Sequence, residues 1–149
     1  MKITHTIIGL LVFFSSAALA EDKSCHETAN TQLEMNVCAA SDSEHAEKEL
    51  NEVYQAILKK YQKSPQFLLK LKAAQRAWLA FREAEIKAIF PLEKDINLHY
   101  GSVYPMCFAM TEAGITLQRI KELRKWLGPF EEGDVCQGSV GNLEENNDK

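Results

Sequence analysis

From Ala46 onward, apolar residues recur at spacings of three and four: Leu50, Val53, Ile57 and Tyr61 form one stripe. That is the pattern of an amphipathic helix with one face against a core. Ser64-Pro65 then supplies a cap followed by proline at the first helical position, which predicts a restart. The second helix carries Leu68, Leu71, Ala74, Trp78 and Phe81 as its predicted inner side and should run to about Phe90, where Pro91 ends it. A third stripe reads Val103, Met106, Met110, Ala113, Leu117, Ile120, Leu123 and Leu127, stopped by Gly128-Pro129. Between Ser24 and Gly101 stand two prolines, no other glycine, and no alternation of strand type. The fold class expected is all-α: a small antiparallel bundle of three main helices with disulfide staples and a disordered acidic C-terminal tail.

The start of the first helix is ambiguous from motif alone, because Ser24-Cys25-His26-Glu27, Thr31-Gln32-Leu33-Glu34 and Ser41-Asp42-Ser43-Glu44 all have the form of a capping box. The cysteines favour Thr31. Along one straight helix, Cys25 and Cys38 would lie roughly 20 Å apart, far beyond the ~7 Å a bridge allows. A helix that begins at Thr31 leaves residues 25–30 able to fold back beside its first two turns, and Cys25–Cys38 becomes reachable. The tail beyond Leu127 can return along the third helix, pairing Cys107 with Cys136. Four cysteines allow three connectivities, of which this is the preferred one.

The N-terminus defines domains and compartment. Lys2, the apolar run Ile7–Phe14 and Ala18-Leu19-Ala20 have the form of a secretory signal, cut after Ala20. Residues 1–20 are thus read as signal peptide, 21–130 as the helical domain, and 131–149 as a flexible acidic tail tethered by Cys136. The apolar run is short for a membrane span and no cysteine opens the mature chain, so no membrane anchor is expected. The mature protein should be periplasmic or secreted, where cysteines pair as disulfides. Removal of the signal shifts the formal charge from −4 to −5, which argues against nucleic acid as partner. No Cys or His spacing suggests a metal, no cofactor motif is present, and the acids Glu83/Glu85 and Glu131/Glu132 read as solvated charges. Nothing points to an enzyme: His26, His45 and His99 have no evident catalytic partners, and disulfides would consume the thiols.

Two segments carry the chemistry of interest. Gln75-Arg76-Ala77-Trp78-Leu79-Ala80-Phe81-Arg82 sets guanidinium groups among large rings. Arg76 and Arg82 are either donors aimed at a partner's carboxylates or members of an internal network with Glu47 or Glu49, in which Asn51, Gln75 and Arg119 take part. The network is the preferred reading, with Trp78 in the core. The connection before the third helix offers Lys94, His99, Tyr100, Ser102 and Tyr104 as partner-binding residues, the alternative being a turn in which Ser102 caps and the tyrosines pack inward.

Cys25, the Thr31–Asn36 element with Cys38-Ala39, Glu49-Leu50-Asn51, Tyr54, the Ala74–Arg82 element, Gly101-Ser102, Pro105-Met106 and Thr116 with Arg119 and Leu123 together resemble the LprI-type lysozyme inhibitor family of small secreted bacterial helical proteins. The resemblance covers nearly the whole mature chain to Leu127. It implies a protein partner, lysozyme or another wall hydrolase, and inhibition in or near the cell envelope. The alternative is a periplasmic protein-binding, immunity-type or stress-related adaptor module without lysozyme inhibition. Where the family commonly has Arg-Asp-x-x-Cys, this chain has Arg82-Glu83-Ala84-Glu85-Ile86, and a second family cysteine falls at Thr111. The resemblance therefore implies that one family bridge is lost here as a pair, with Cys107 and Cys136 as a substitute staple.

Overall fold

The computed structural model describes residues 25–129 and Cys136. Residues 1–24 and 130–149, Cys136 apart, lie outside the described residues, and with them the expected signal peptide and the expected disordered tail. Helix α1 is a single turn, Cys25–Thr28, followed by α2, Gln32–Lys60. Thr31 caps α2: its hydroxyl accepts from the Glu34 amide at 3.2 Å, while the Glu34 carboxylate accepts from the amides of Thr31 (2.9 Å) and Asn30 (2.7 Å). This reciprocal capping satisfies donors that a helix start otherwise leaves open. Ser41 lies inside α2 and starts no helix, and Ser24 lies outside the described residues. A Cys25–Cys38 disulfide ties α1 to the second turn of α2, with Cα atoms 5.6 Å apart.

Helix α3 spans Pro65–Ile89, with Ser64 at its N-cap and Pro91 just past its end. The connection that follows is more structured than its composition suggests. Asp95 adopts a left-handed conformation (φ 51°) and launches the short helix α4, Ile96–Tyr100, which leads through Gly101 (φ 71°) and one 3₁₀ turn into α5, Tyr104–Arg124. All the described regular structure is helical. Helices α2 and α5 pack along most of their length, α3 lies against α5, and α2 and α3 approach each other much less closely.

Two inner faces differ from the stripes the apolar pattern predicts. On α3 the positions turned inward are Leu71, Gln75, Trp78, Arg82 and Ile86, and Ala74 and Phe81 are exposed, Phe81 at 55 %. Both sets have helical spacing, but the observed one places two polar residues inside because partners on other helices satisfy them. On α5, Ala109, Ala113, Thr116, Ile120 and Leu123 are buried, and Met110 and Leu117 are exposed. Here closeness decides: Ala39, Ser43 and Ala46 of α2 are also buried, and small side chains on both helices let the axes approach.

The core proper gathers Leu50, Val53, Ile57, Tyr61, Leu71, Ile120 and Leu123, with Phe67, Trp78 and Trp126 packed around it. Tyr61 is 1 % exposed, and its hydroxyl donates to the Trp126 carbonyl at 2.8 Å, so even the most deeply buried ring is satisfied at its polar tip. At the other end, Phe90, Tyr100, Tyr104 and Phe108 form an aromatic cluster with centroids 5.3–6.0 Å apart. This cluster fixes the turn between α3 and α5.

The second expected bridge, Cys107–Cys136, is not formed in the structure, and Cys107 is a half-buried thiol. Cys107 lies in the first turn of α5, so the chain beyond Arg124 must return about 25 Å along the helix, much of the reach of the twelve residues to Cys136.

Candidate functional site

The polar residues of the Gln75–Arg82 element part company. Gln75 is buried and Arg82 half-buried, both facing inward. Arg82 donates to the Glu47 carboxylate of α2 and, at 2.8 Å, to the hydroxyl of Thr116 of α5, which is fully buried. Arg119 of α5 donates through Nε to the Gln75 side-chain oxygen at 3.1 Å. The guanidinium carbons of Arg82 and Arg119 stand 5.0 and 5.8 Å from the Trp78 ring centre, within cation–π range. Burial pushes the Arg119 pKa down, though a guanidinium remains charged throughout the accessible range. One layer of side chains therefore joins all three long helices. Arg76 and Asn51 are exposed and stand outside it, with no polar contact among the described residues. Glu49, the other acid considered for Arg82, pairs instead with Arg124 at 2.8 Å.

The loop candidates separate in the same way. Tyr100 and Tyr104 stack with centroids 5.3 Å apart and are half-buried against Phe90. Ser102 caps neither α4 nor α5; its carbonyl accepts from the Asn36 side chain at 3.0 Å, which docks the turn on α2. Lys94 and His99 are exposed. The structure thus brings Tyr100, Tyr104 and Ser102 into one packed corner, with Lys94 and His99 on the surface around it.

Sequence reasoning missed a cleft beside this corner. It opens between α2 and α3 over a floor made by α5. On the α2 side a groove of about 610 Å³ is lined by Ala40, Ser43, Glu44 and Glu47, facing Tyr104, Phe108 and Glu112. On the α3 side a second hollow is lined by Leu79, Arg82, Glu83, Ile86 and Lys87, and it shares Phe108 and Glu112 with the first. The Glu47–Arg82–Thr116 contacts close the inner end. A signal for the floor exists in the sequence, since Tyr104, Phe108 and Glu112 follow one another at spacing four and share a face of α5. Its walls come from segments some forty residues apart, and no local pattern joins them.

The described residues hold no group of His, Cys, Asp and Glu arranged to bind a metal ion, and no described helix is long and apolar enough to cross a membrane. A layer that joins three helices through one ion pair and side-chain hydrogen bonds suits a scaffold that presents a surface.

No solved structure matches the chain significantly. An uncharacterized protein of Rhizobium meliloti (strain 1021) is 26 % identical over 138 residues, an alignment covering 84 % of this chain and 95 % of the relative. Lysozyme inhibitor LprI matches residues 24–123, which takes in every described helix but the last residue of α5. The chain belongs to the LprI lysozyme inhibitor family.

Proposed function

We propose that the mature chain is an exported envelope protein that binds a lysozyme-like muramidase and blocks its cleft. The family match over residues 24–123 carries this reading. The signal-like pattern of residues 1–20 supports export. A muramidase cleft works through two carboxylates, and a blocking surface must offer it donors. Lys94, His99, Tyr100, Ser102 and Tyr104 are the residues assigned to that contact. The acidic remainder of the surface complements a basic enzyme and speeds encounter.

The test is titration of the oxidised protein, Glu21–Lys149, into a cell-wall lysis assay with several lysozyme classes. Stoichiometric inhibition is expected. Because Tyr100 and Tyr104 are packed against Phe90, their roles are tested as Tyr100→Phe and Tyr104→Phe, beside Lys94→Ala and His99→Ala. Unchanged inhibition by the combined variant removes this loop from the interface. No inhibition of any class by the folded wild-type protein turns the question to a pull-down for another envelope partner.

A further inference from the structure

The cleft between α2 and α3 has a composition that narrows what can enter it. Its α2-side groove is lined largely by apolar atoms, and Tyr104 and Phe108 are among its lining residues beside Ala40 and Ala109. Its charges do not balance. Arg82 is neutralised by Glu47, and Lys87 by Glu83 at 2.7 Å. Glu44 and Glu112 remain without an ion-pair partner among the described residues; Glu112 accepts one hydrogen bond, 2.8 Å from the Ser43 hydroxyl. An apolar slot with aromatic sides and two uncompensated carboxylates is complementary to a group that is flat, cationic and able to donate in two directions.

The inner end of the cleft already shows that chemistry within the chain, where the Arg82 guanidinium lies over Trp78 while donating to Glu47. We propose that the groove formed by Glu44, Tyr104, Phe108 and Glu112 receives an arginine side chain from a surface loop of a basic protein partner. The guanidinium stacks against the Tyr104 and Phe108 rings and donates to the Glu112 and Glu44 carboxylates. Arginine fits better than lysine because its planar fork can use a ring face and two acceptors at once. The proposal deepens the muramidase-binding reading by naming the chemistry of the partner's surface, and its first test does not depend on that reading.

That test titrates N-acetylarginine amide at millimolar concentration into the isotope-labelled, oxidised protein, followed by amide chemical shifts, with the neutral N-acetylcitrulline amide as control. Saturable shifts concentrated at Ala40, Glu44, Phe108 and Glu112 are expected with arginine and none with citrulline. Glu44→Gln/Glu112→Gln should weaken the response at least ten-fold. Glu52→Gln/Glu85→Gln, which removes equal charge from exposed positions elsewhere, should leave it unchanged. Absent shifts, shifts spread evenly over the acidic surface, or equal loss in both double variants overturn the proposal.

The second arm measures lysozyme inhibition by the same variants. Wild-type inhibition that Glu44→Gln/Glu112→Gln leaves intact overturns the groove as the contact while the muramidase reading stands. Arginine binding without lysozyme inhibition has the opposite meaning: the groove stands, and its partner is another basic protein.

Discussion

Arg82 of α3 donates to the carboxylate of Glu47, thirty-five residues earlier on α2, and so links the two long helices that pack least closely. The arginine side chain is 14 % exposed and the glutamate 37 %, so the pair is mostly but not fully buried. Replacing Arg82 by Met takes the charged donor from Glu47, leaving it the Thr116 hydroxyl at 3.5 Å, and removes the donor to that buried hydroxyl. A loss of about 2 kcal/mol is expected, below the 3–5 typical of fully buried pairs. Urea unfolding of Glu47→Gln, Arg82→Met and the double variant checks this, the double costing clearly less than the sum of the singles.

The observed phase of α3 makes a contrast between two large apolar residues. Leu71→Ala empties a core position, 5 % exposed, and should cost about 2–4 kcal/mol. Phe81→Ala should change stability by no more than about 0.5 kcal/mol, as for an ordinary surface site. Thermal unfolding of the two variants settles the phase, and a larger cost at Phe81 would show that it packs inward.

Cys25–Cys38 joins residues thirteen apart across the start of α2. In the chain-entropy picture a loop of this size contributes about 3 kcal/mol. Cys25→Ser/Cys38→Ser should unfold at correspondingly lower urea concentration. Hydrogen exchange in that variant should rise first in Gln32–Ser41, because the turn that the bridge holds also supplies the donors to Glu34.

Glu34 itself gives stability a pH dependence. Hydrogen bonds from the Asn30 and Thr31 amides hold its pKa below the ordinary glutamate value. A carboxyl with a lowered folded pKa contributes fully above its unfolded value, and the contribution disappears as pH falls through the folded one. Denaturation midpoints measured from about pH 6 down to about pH 3 should therefore fall less steeply for Glu34→Gln than for wild type.

Sequence alone reveals the helices here because their signals are local. Thr31 with Glu34, Ser64 with Pro65, and Pro91 each act within one turn, and each lies where the structure ends or begins a helix. The facing of those helices is harder to read. An apolar count at α3 excludes Gln75 and Arg82 from the inner side, yet both go in because Arg119, Glu47 and Thr116 meet them from α2 and α5. On α5 the same count ranks Met110 and Leu117 above Ala109 and Thr116, when a close helix contact requires the smaller pair. The cleft was hidden for a related reason, since Glu44 and Glu112 become neighbours only once α2 and α5 have packed.

Rings fill the two ends of the bundle separately, Tyr61, Phe67 and Trp126 at one and Phe90, Tyr100, Tyr104 and Phe108 at the other, with the Arg82 layer between them. A molecule divided in this way opens in parts. The end built on the five residues of α4 buries none of them fully, while the opposite end encloses Tyr61. Amide hydrogens of residues 96–103 should exchange through small local openings that leave the Tyr61 end shut. The groove adjoins the end that loosens first, so an incoming side chain meets walls carried by two long helices, beside a turn that can still adjust.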